Sequence, residues 1–192
     1  IQEAAKLYAF KVPQGGETPC HSPIDGRVIG SYRPIGASDL TASFERAKQA
    51  QKSWGELPLE NRCLILERIA DAYELNRPAL VALLQNEGGK TLSDAIAEIR
   101  EAVDFCRYYA QIARQSLSPM ILPGPTGEEN TLHHKGRGVF VCISPWNFPL
   151  AIFTGQIVAA LVSGNAVLAK PSGQTVLIAQ KALELMYGSG VP

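Results

Sequence analysis

Asn147 and Lys170 are the residues whose surroundings best suit them to chemistry. Asn147 lies within Ser144-Pro145-Trp146-Asn147-Phe148-Pro149-Leu150, between an apolar run that reads as a strand and a charge-free run that reads as a helix. An amide NH2 fixed beside a reacting carbonyl can stabilise a developing oxyanion, each such donor being worth about 3 kcal/mol of barrier. Asn is also a good helix N-cap, and alone that role would account for it. Two prolines and a tryptophan around it supply more rigidity than a cap needs. Lys170 ends a second apolar run and precedes Pro171, where the chain must leave the strand. A lysine there can reach the ribose hydroxyls or phosphate of a nucleotide, although most lysines simply sit in solvent. The functional role is favoured because the two strand ends would be neighbours at the carboxyl edge of a parallel sheet, where open α/β folds bind nucleotides.

Other motifs carry less. Gly89-Lys90-Thr91 imitates the end of a phosphate-binding loop, but that pattern needs glycine where Leu84 stands and a strand where the periodicity gives a helix. No Gly-x-Gly-x-x-Gly fingerprint is present. His133-His134 has no second ligand pair at a metal spacing and reads as part of a strand with one ring exposed. Glu98 and Glu101, one turn apart on a long helix, read as a solvated face. Gly164-Asn165 reads as a helix C-cap and tight turn, a structural role. Gly155, mid-helix, costs about 1 kcal/mol against alanine and is expected where the helix meets a close neighbour.

The elements that must position these groups follow from periodicity. Asp25-Gly26 is a turn into a strand at 27–30. Leu40, Phe44, Ala47, Gln51 and Trp54 mark a first helix with Ser38 as N-cap. Pro58 opens a second on Leu59, Cys63, Leu66, Ala70 and Tyr73, and Asn76 and Pro78 start a third that ends near Gly88-Gly89. Thr91 caps the longest helix, whose stripe runs through Leu92, Ala95 and Ile96, Ile99, Val103, Cys106, Tyr109 and Ala110, and Ala113. Residues 118–129 hold three prolines and two glycines and read as a loop. Strands follow at 131–135 and 139–143, then a helix at 148–162, a strand at 166–169 and a helix at 175–187. That alternation predicts an α/β fold, an incomplete Rossmann-like parallel sheet preceded by an N-terminal helical region.

Composition sets the outer bounds. Net charge is zero and no basic run exceeds two residues, which argues against nucleic acid as a partner. The four cysteines, Cys20, Cys63, Cys106 and Cys142, form no Cys-x-x-Cys pair, a pattern that fits reduced thiols in a cytoplasmic protein and no metal site. Cys142, in an apolar strand, reads as a small buried hydrophobe. No signal peptide is visible, and the apolar helix at 148–162 is too short to span a bilayer, so no membrane partner is expected. Numbering starts at Ile1 rather than methionine, which points to a piece of a longer polypeptide.

The run from Ile143 to Leu150, with Gly164-Asn165 and Lys170-Pro171, resembles the signature of the NAD(P)-dependent aldehyde dehydrogenase superfamily. Within it, residues 148–157, with Gly89-Lys90-Thr91, residues 95–105 and Arg107-Tyr108-Tyr109-Ala110, resemble the glutamate semialdehyde (pyrroline-5-carboxylate) dehydrogenase module of the bifunctional proline utilisation A family. The likeness is specific from about residue 88 to 192 and generic for the superfamily over 1–77. It implies an aldehyde-dehydrogenase-like fold in which 1–117 is the helical part of the cofactor-binding domain. Residues 118–137 would contribute to oligomerisation, and 138–192 would be the first βαβα of the NAD-binding sheet. Asn147 would be the side-chain donor of the oxyanion hole. Ile143, Ser144, Pro145 and Trp146 would line the nicotinamide side of the cofactor groove, and Lys170, helped by Ser172, would hold the adenosine ribose.

Gly173 departs from the pattern. NAD is the cofactor the resemblance implies; the family usually has a Glu at this position that shares the ribose hydroxyls with the lysine, and Gly173 removes that acceptor, so the preference for NAD over NADP stays open. FAD would belong only to a separate proline dehydrogenase module of a bifunctional parent. The implied reaction begins with a cysteine thiolate adding to glutamate γ-semialdehyde and ends with glutamate, hydride having passed to NAD. The family's nucleophile and general base lie beyond the equivalent of Pro192, so these 192 residues alone are expected to be inactive. The implied partners are the aldehyde substrate, the rest of the parent chain and further copies in a homo-oligomer. Two alternatives stay open: an aldehyde dehydrogenase for another aldehyde, and a non-catalytic scaffold module built on the same fold.

Overall fold

The computed structural model describes residues 16–192. Its core forms where a layer of helices meets the single βαβα unit. Helix α1 (Ala37–Glu56) begins at Gly36, whose amide donates to Asp39 Oδ2 at 3.2 Å, so Gly36 and not Ser38 is the N-cap. The stripe expected on α1 is only partly used. Leu40 and Phe44 are exposed, whereas Trp54 is buried and its indole N–H donates to the Leu161 carbonyl at 2.8 Å.

Helices α2 (Leu59–Leu75), α3 (Arg77–Asn86) and α4 (Leu92–Ser116) follow closely the expected spans. Thr91 caps α4 as expected, accepting from the Asp94 amide at 3.2 Å. Along α4 the buried positions include Ala95, Ala102, Ala110 and Ala113. These small side chains let α2 lie against it through Cys63, Leu66, Ile69, Ala70 and Tyr73. Closing the turn between α3 and α4 needs a left-handed residue, supplied by Gly89 at φ +65°.

Two antiparallel hairpins flank this layer. Strands β1 (Thr18–His21) and β2 (Val28–Tyr32) pair around the expected Asp25-Gly26 turn, with Gly26 at φ +74°. The sequence reading missed β1, because Thr-Pro-Cys-His has no apolar alternation. Strands β3 (Met120–Leu122) and β4 (Asn130–Leu132) form the second hairpin. Here the expectation is corrected twice. Part of the supposed loop is a strand, and β4 stops at Leu132, which leaves both His133 and His134 exposed and outside it.

Strands β5 (Val139–Ile143) and β6 (Ala166–Lys170) are parallel, with Val139 opposite Ala166 and Ile143 opposite Lys170. Helix α5 (Ala151–Val162) connects them, and α6 (Val176–Gly188) follows β6. Helix α5 is apolar nearly all round because it is covered nearly all round. Its Gly155 faces the Phe105 ring of α4, whose nearest atoms would stand 3.1–3.2 Å from an added Cβ. Tyr73 and Thr154 resolve the buried polarity between α2 and α5 with a 3.1 Å hydrogen bond.

The entry to β5 is set by Gly164 and Asn165. Gly164 takes φ +83° after α5, and a Cβ on Gly136 would stand 2.0 Å from the Gly164 carbonyl oxygen, so the two segments touch backbone to backbone. Asn165 is buried; its Oδ1 accepts from the amides of Arg137 at 2.5 Å and Gly138 at 3.0 Å, and its Nδ2 donates to the Ala160 carbonyl at 3.2 Å. This one side chain starts both strands in register.

Candidate functional site

The carboxyl ends of β5 and β6 are adjacent, as the sequence requires: Ile143 is registered with Lys170, and the Ser144 amide donates to the Lys170 carbonyl at 3.2 Å. The ladder thus runs one residue past β5 before Pro145 turns the chain outward. Gln156 of α5 donates to the Ile143 carbonyl at 3.1 Å, satisfying the strand end from below.

Beyond that point the side chains divide. Ser144 is buried and its hydroxyl has no hydrogen-bond partner among the described residues. Ile143, Pro145, Trp146, Asn147 and Phe148 are exposed, and Pro149 and Leu150 are buried. Asn147 does not cap α5. The helix starts at Ala151 with Leu150 as N-cap, and no capping side chain is local. Among the described residues no side-chain hydrogen bond engages Asn147, and the residue is exposed. The cap reading, the main rival to a chemical role, is therefore removed by geometry.

Lys170 is exposed, with its ammonium 3.4 Å from its neighbour's carbonyl at Pro171. The Ser172 hydroxyl is already engaged: it donates to Gln174 Oε1 and accepts from the Gln174 amide at 3.4 Å. Gly173 lies beside them in open space, where an added Cβ would meet only the Tyr32 hydroxyl at 3.9 Å. Tyr32, the last residue of β2, thus reaches this loop from a distant part of the chain, which nothing in the local sequence announces.

Two buried carboxylates lie beneath the strand ends; the sequence reading placed Glu98 on a solvated face and did not consider Glu87. Glu98 of α4 is fully buried rather than solvated; its Oε1 accepts from the amides of Leu150 at 2.8 Å and Ala151 at 3.2 Å. Its Oε2 pairs with Lys90 Nζ at 2.6 Å, and the same ammonium lies 4.3 Å from the centroid of the Phe148 ring. Glu101, in contrast, is exposed as expected. Glu87, the C-cap of α3, accepts from the amides of Leu177 at 2.7 Å and Ile178 at 2.8 Å. Burial pushes Glu87 up from 4.5 to about 7, although the amides of Leu177, Ile178 and Val176 oppose that rise.

Each helix that follows a strand of the parallel pair therefore has amides at its amino end engaged by a glutamate from the helical layer. Open helix N-termini bind phosphate through free N–H groups and the helix dipole. Here those groups are taken, which agrees with the absent glycine fingerprint. The signal for Glu98 was present: it stands three residues after Ala95 and four before Ala102, on the buried stripe of α4.

All four cysteines are buried, and burial raises each thiol, Cys20 to about 11 and Cys106 to about 12, with Cys63 and Cys142 also above the usual thiol range. None is an activated thiolate. Among the described residues no cluster of three or more His, Cys, Asp or Glu could hold a metal, and no helix is long and apolar enough to cross a membrane.

A parallel β5–β6 pair with polar groups at its carboxyl edge, packed against a helical layer, is part of an incomplete α/β fold. The aldehyde dehydrogenase family pattern matches residues 10–192, and the chain belongs to that family. It is 42% identical over 191 residues to the bifunctional protein PutA of Klebsiella aerogenes, covering 99% of this chain and 14% of that relative. It is also similar to the crystal structure of a Bradyrhizobium japonicum proline utilization A (PutA) mutant, with a TM-score of 0.82, 48% identity and coverage of 84% of this chain and 17% of that one. A 1-pyrroline-5-carboxylate dehydrogenase from Thermus with bound NAD superposes with a TM-score of 0.90 at 30% identity, over 100% of this chain and 39% of that one. The fold is thus that of the aldehyde dehydrogenases, present here as an incomplete α/β unit, and the chain spans 14% of the length of the curated relative.

Proposed function

We propose that these residues form the first half of the cofactor-binding domain of an NAD-dependent dehydrogenase that oxidises glutamate γ-semialdehyde to glutamate. The carrying observation is the unpartnered Asn147 amide, held at the carboxyl end of β5 beside the strand end that bears Lys170. Similarity to PutA over 99% of the chain supports the substrate, and the NAD-bound Thermus neighbour supports the cofactor.

The residues present fit a dinucleotide. Ser144 offers a buried, unused hydroxyl at the strand end, Lys170 an exposed ammonium, and Gly173 leaves room beside Tyr32. Ile143, Pro145 and Trp146 would cover the nicotinamide end, and Lys170 with Ser172 the adenosine ribose. The nicotinamide, when bound, accepts the hydride. Asn147 donates an N–H to the aldehyde oxygen as negative charge gathers on it, and the rigid loop means that no reorganisation is needed at that moment. Lys170 holds a ribose oxygen and so fixes how far the dinucleotide enters. The nucleophile would come from the parent chain, since the four thiols here are buried and burial raises each of them away from the thiolate form.

In the full-length parent, Asn147→Ala should lower kcat about 100- to 1000-fold and leave the NAD dissociation constant unchanged. The isolated 192 residues should show no aldehyde-dependent NADH formation. A variant with wild-type kcat would remove Asn147 from the chemistry, and parallel assays with other semialdehydes would test the substrate.

A further inference from the structure

We propose that Lys90 and Glu98 are positioning residues for Asn147, a role that rests on the oxyanion reading above. The loop at 145–149 stands out from the sheet, and Asn147 has no side-chain anchor of its own. Its hold comes from the residues just after it. Phe148 lies under the Lys90 ammonium, 4.3 Å from ring centroid to Nζ. Leu150 and Ala151 donate their amides to Glu98 Oε1, and Lys90 Nζ sits 2.6 Å from Glu98 Oε2. One buried ion pair thereby grips the first, third and fourth residues after Asn147 and ties them to α4, 52 residues away at Leu150.

A stabilising role alone explains this arrangement poorly. A helix end needs only a Ser, Thr, Asp or Asn at its N-cap, yet Leu150 occupies that place and the acceptor is brought in from another helix. Burying an ion pair gives little net stability, because desolvation offsets the Coulomb gain. What the pair does supply is a fixed distance between α4 and the loop. The α3–α4 turn is shaped to deliver the lysine. Gly89 takes φ +65°, the Lys90 amide donates to the Leu84 carbonyl at 3.2 Å, and a Cβ on Gly88 would stand 2.7 Å from that same oxygen. Gly89-Lys90-Thr91, which resembles a phosphate loop, thus receives a different task.

The test uses the full-length parent with Lys90→Met, Glu98→Gln and Asn147→Ala, singly and in pairs. Lys90→Met and Glu98→Gln should each lower kcat about 10-fold or more, as small displacements of a catalytic group do. The NAD dissociation constant should not change, and Lys90→Arg should restore most of the rate. In the Asn147→Ala background neither change should slow the reaction further. Losses that multiply in the double variants, or an NAD affinity that falls in step with kcat, would overturn the proposal. Hydrogen exchange read at residues 145–151 gives an arm independent of turnover: Lys90→Met should raise exchange there and Lys90→Arg should not. Unchanged exchange in Lys90→Met would also overturn it. If the wild-type parent oxidises no aldehyde, the oxyanion reading fails, and the exchange arm still decides whether the pair holds the loop.

Discussion

Replacing Glu87 by Gln should make the protein more stable near neutral pH, and by an amount that depends on pH in a known direction. Glu87 is 3% exposed, and its proton affinity in the folded chain rises from 4.5 to about 7 because burial disfavours the charge more than three helix amides favour it. Between those pH values the folded chain binds more protons at this site than the unfolded one. Stability must therefore fall as pH rises from about 4.5 through about 7, and the contribution is complete below the unfolded value. The full rise corresponds to about 3 kcal/mol. Glutamine keeps an oxygen for the Leu177 or Ile178 amide and carries no charge to desolvate. Urea unfolding of wild type and Glu87→Gln at pH 5, 6, 7 and 8 gives the difference directly. The two proteins should differ least at pH 5, with the glutamine variant gaining relative to wild type up to about pH 7 and little beyond. Curves that stay parallel, or a wild type that gains relative to the variant as pH rises, would refute the account of Glu87 as a carboxylate burdened by burial.

Two further outcomes follow from the packing. Gly136→Ala should destabilise by about 3 kcal/mol, because its Cβ would be 2.0 Å from a backbone oxygen that cannot move without breaking the Asn165 clamp; thermal unfolding monitored by circular dichroism reads this. Gly173→Glu meets no obstacle at its Cβ, and in the parent it should tighten NAD and weaken NADP, since the new carboxylate accepts from ribose hydroxyls and repels a 2′-phosphate. Equilibrium binding of both dinucleotides checks it, and an unchanged ratio would separate position 173 from the ribose.

The parts of this fold that sequence showed best are those governed by one chain segment at a time. The α2 stripe, most of the α4 stripe, the Thr91 cap and the βαβα alternation each follow from local periodicity or from one capping side chain, and the structure reproduces them, although Leu92 and Ile96 at the start of α4 are exposed. Strand β1 and the exposed face of α1 were not legible, because what decides them lies elsewhere. Cys20 and Gly30 pair across a turn, and Leu40 and Phe44 face no described neighbour that covers them.

The site divides in the same way. Asn147 and Lys170 could be seen because each sits at a strand end marked by proline. For Glu98 only its burial was signalled, by its place on the α4 stripe; what Glu87 and Glu98 hold was not legible, since their partners are amides 90 and 52 residues further along. Their positions explain why the polar groups at this sheet edge are side chains. In a glycine-fingerprint fold the helix amides themselves face the anion. Here the helical layer engages those amides with its own carboxylates, so the edge presents what projects past them, the Asn147 amide and the Lys170 ammonium, with the Ser144 hydroxyl buried behind. Under the proposed function, a dinucleotide on this edge is read by those groups, and its pyrophosphate takes its donors from residues other than the first turns of α5 and α6.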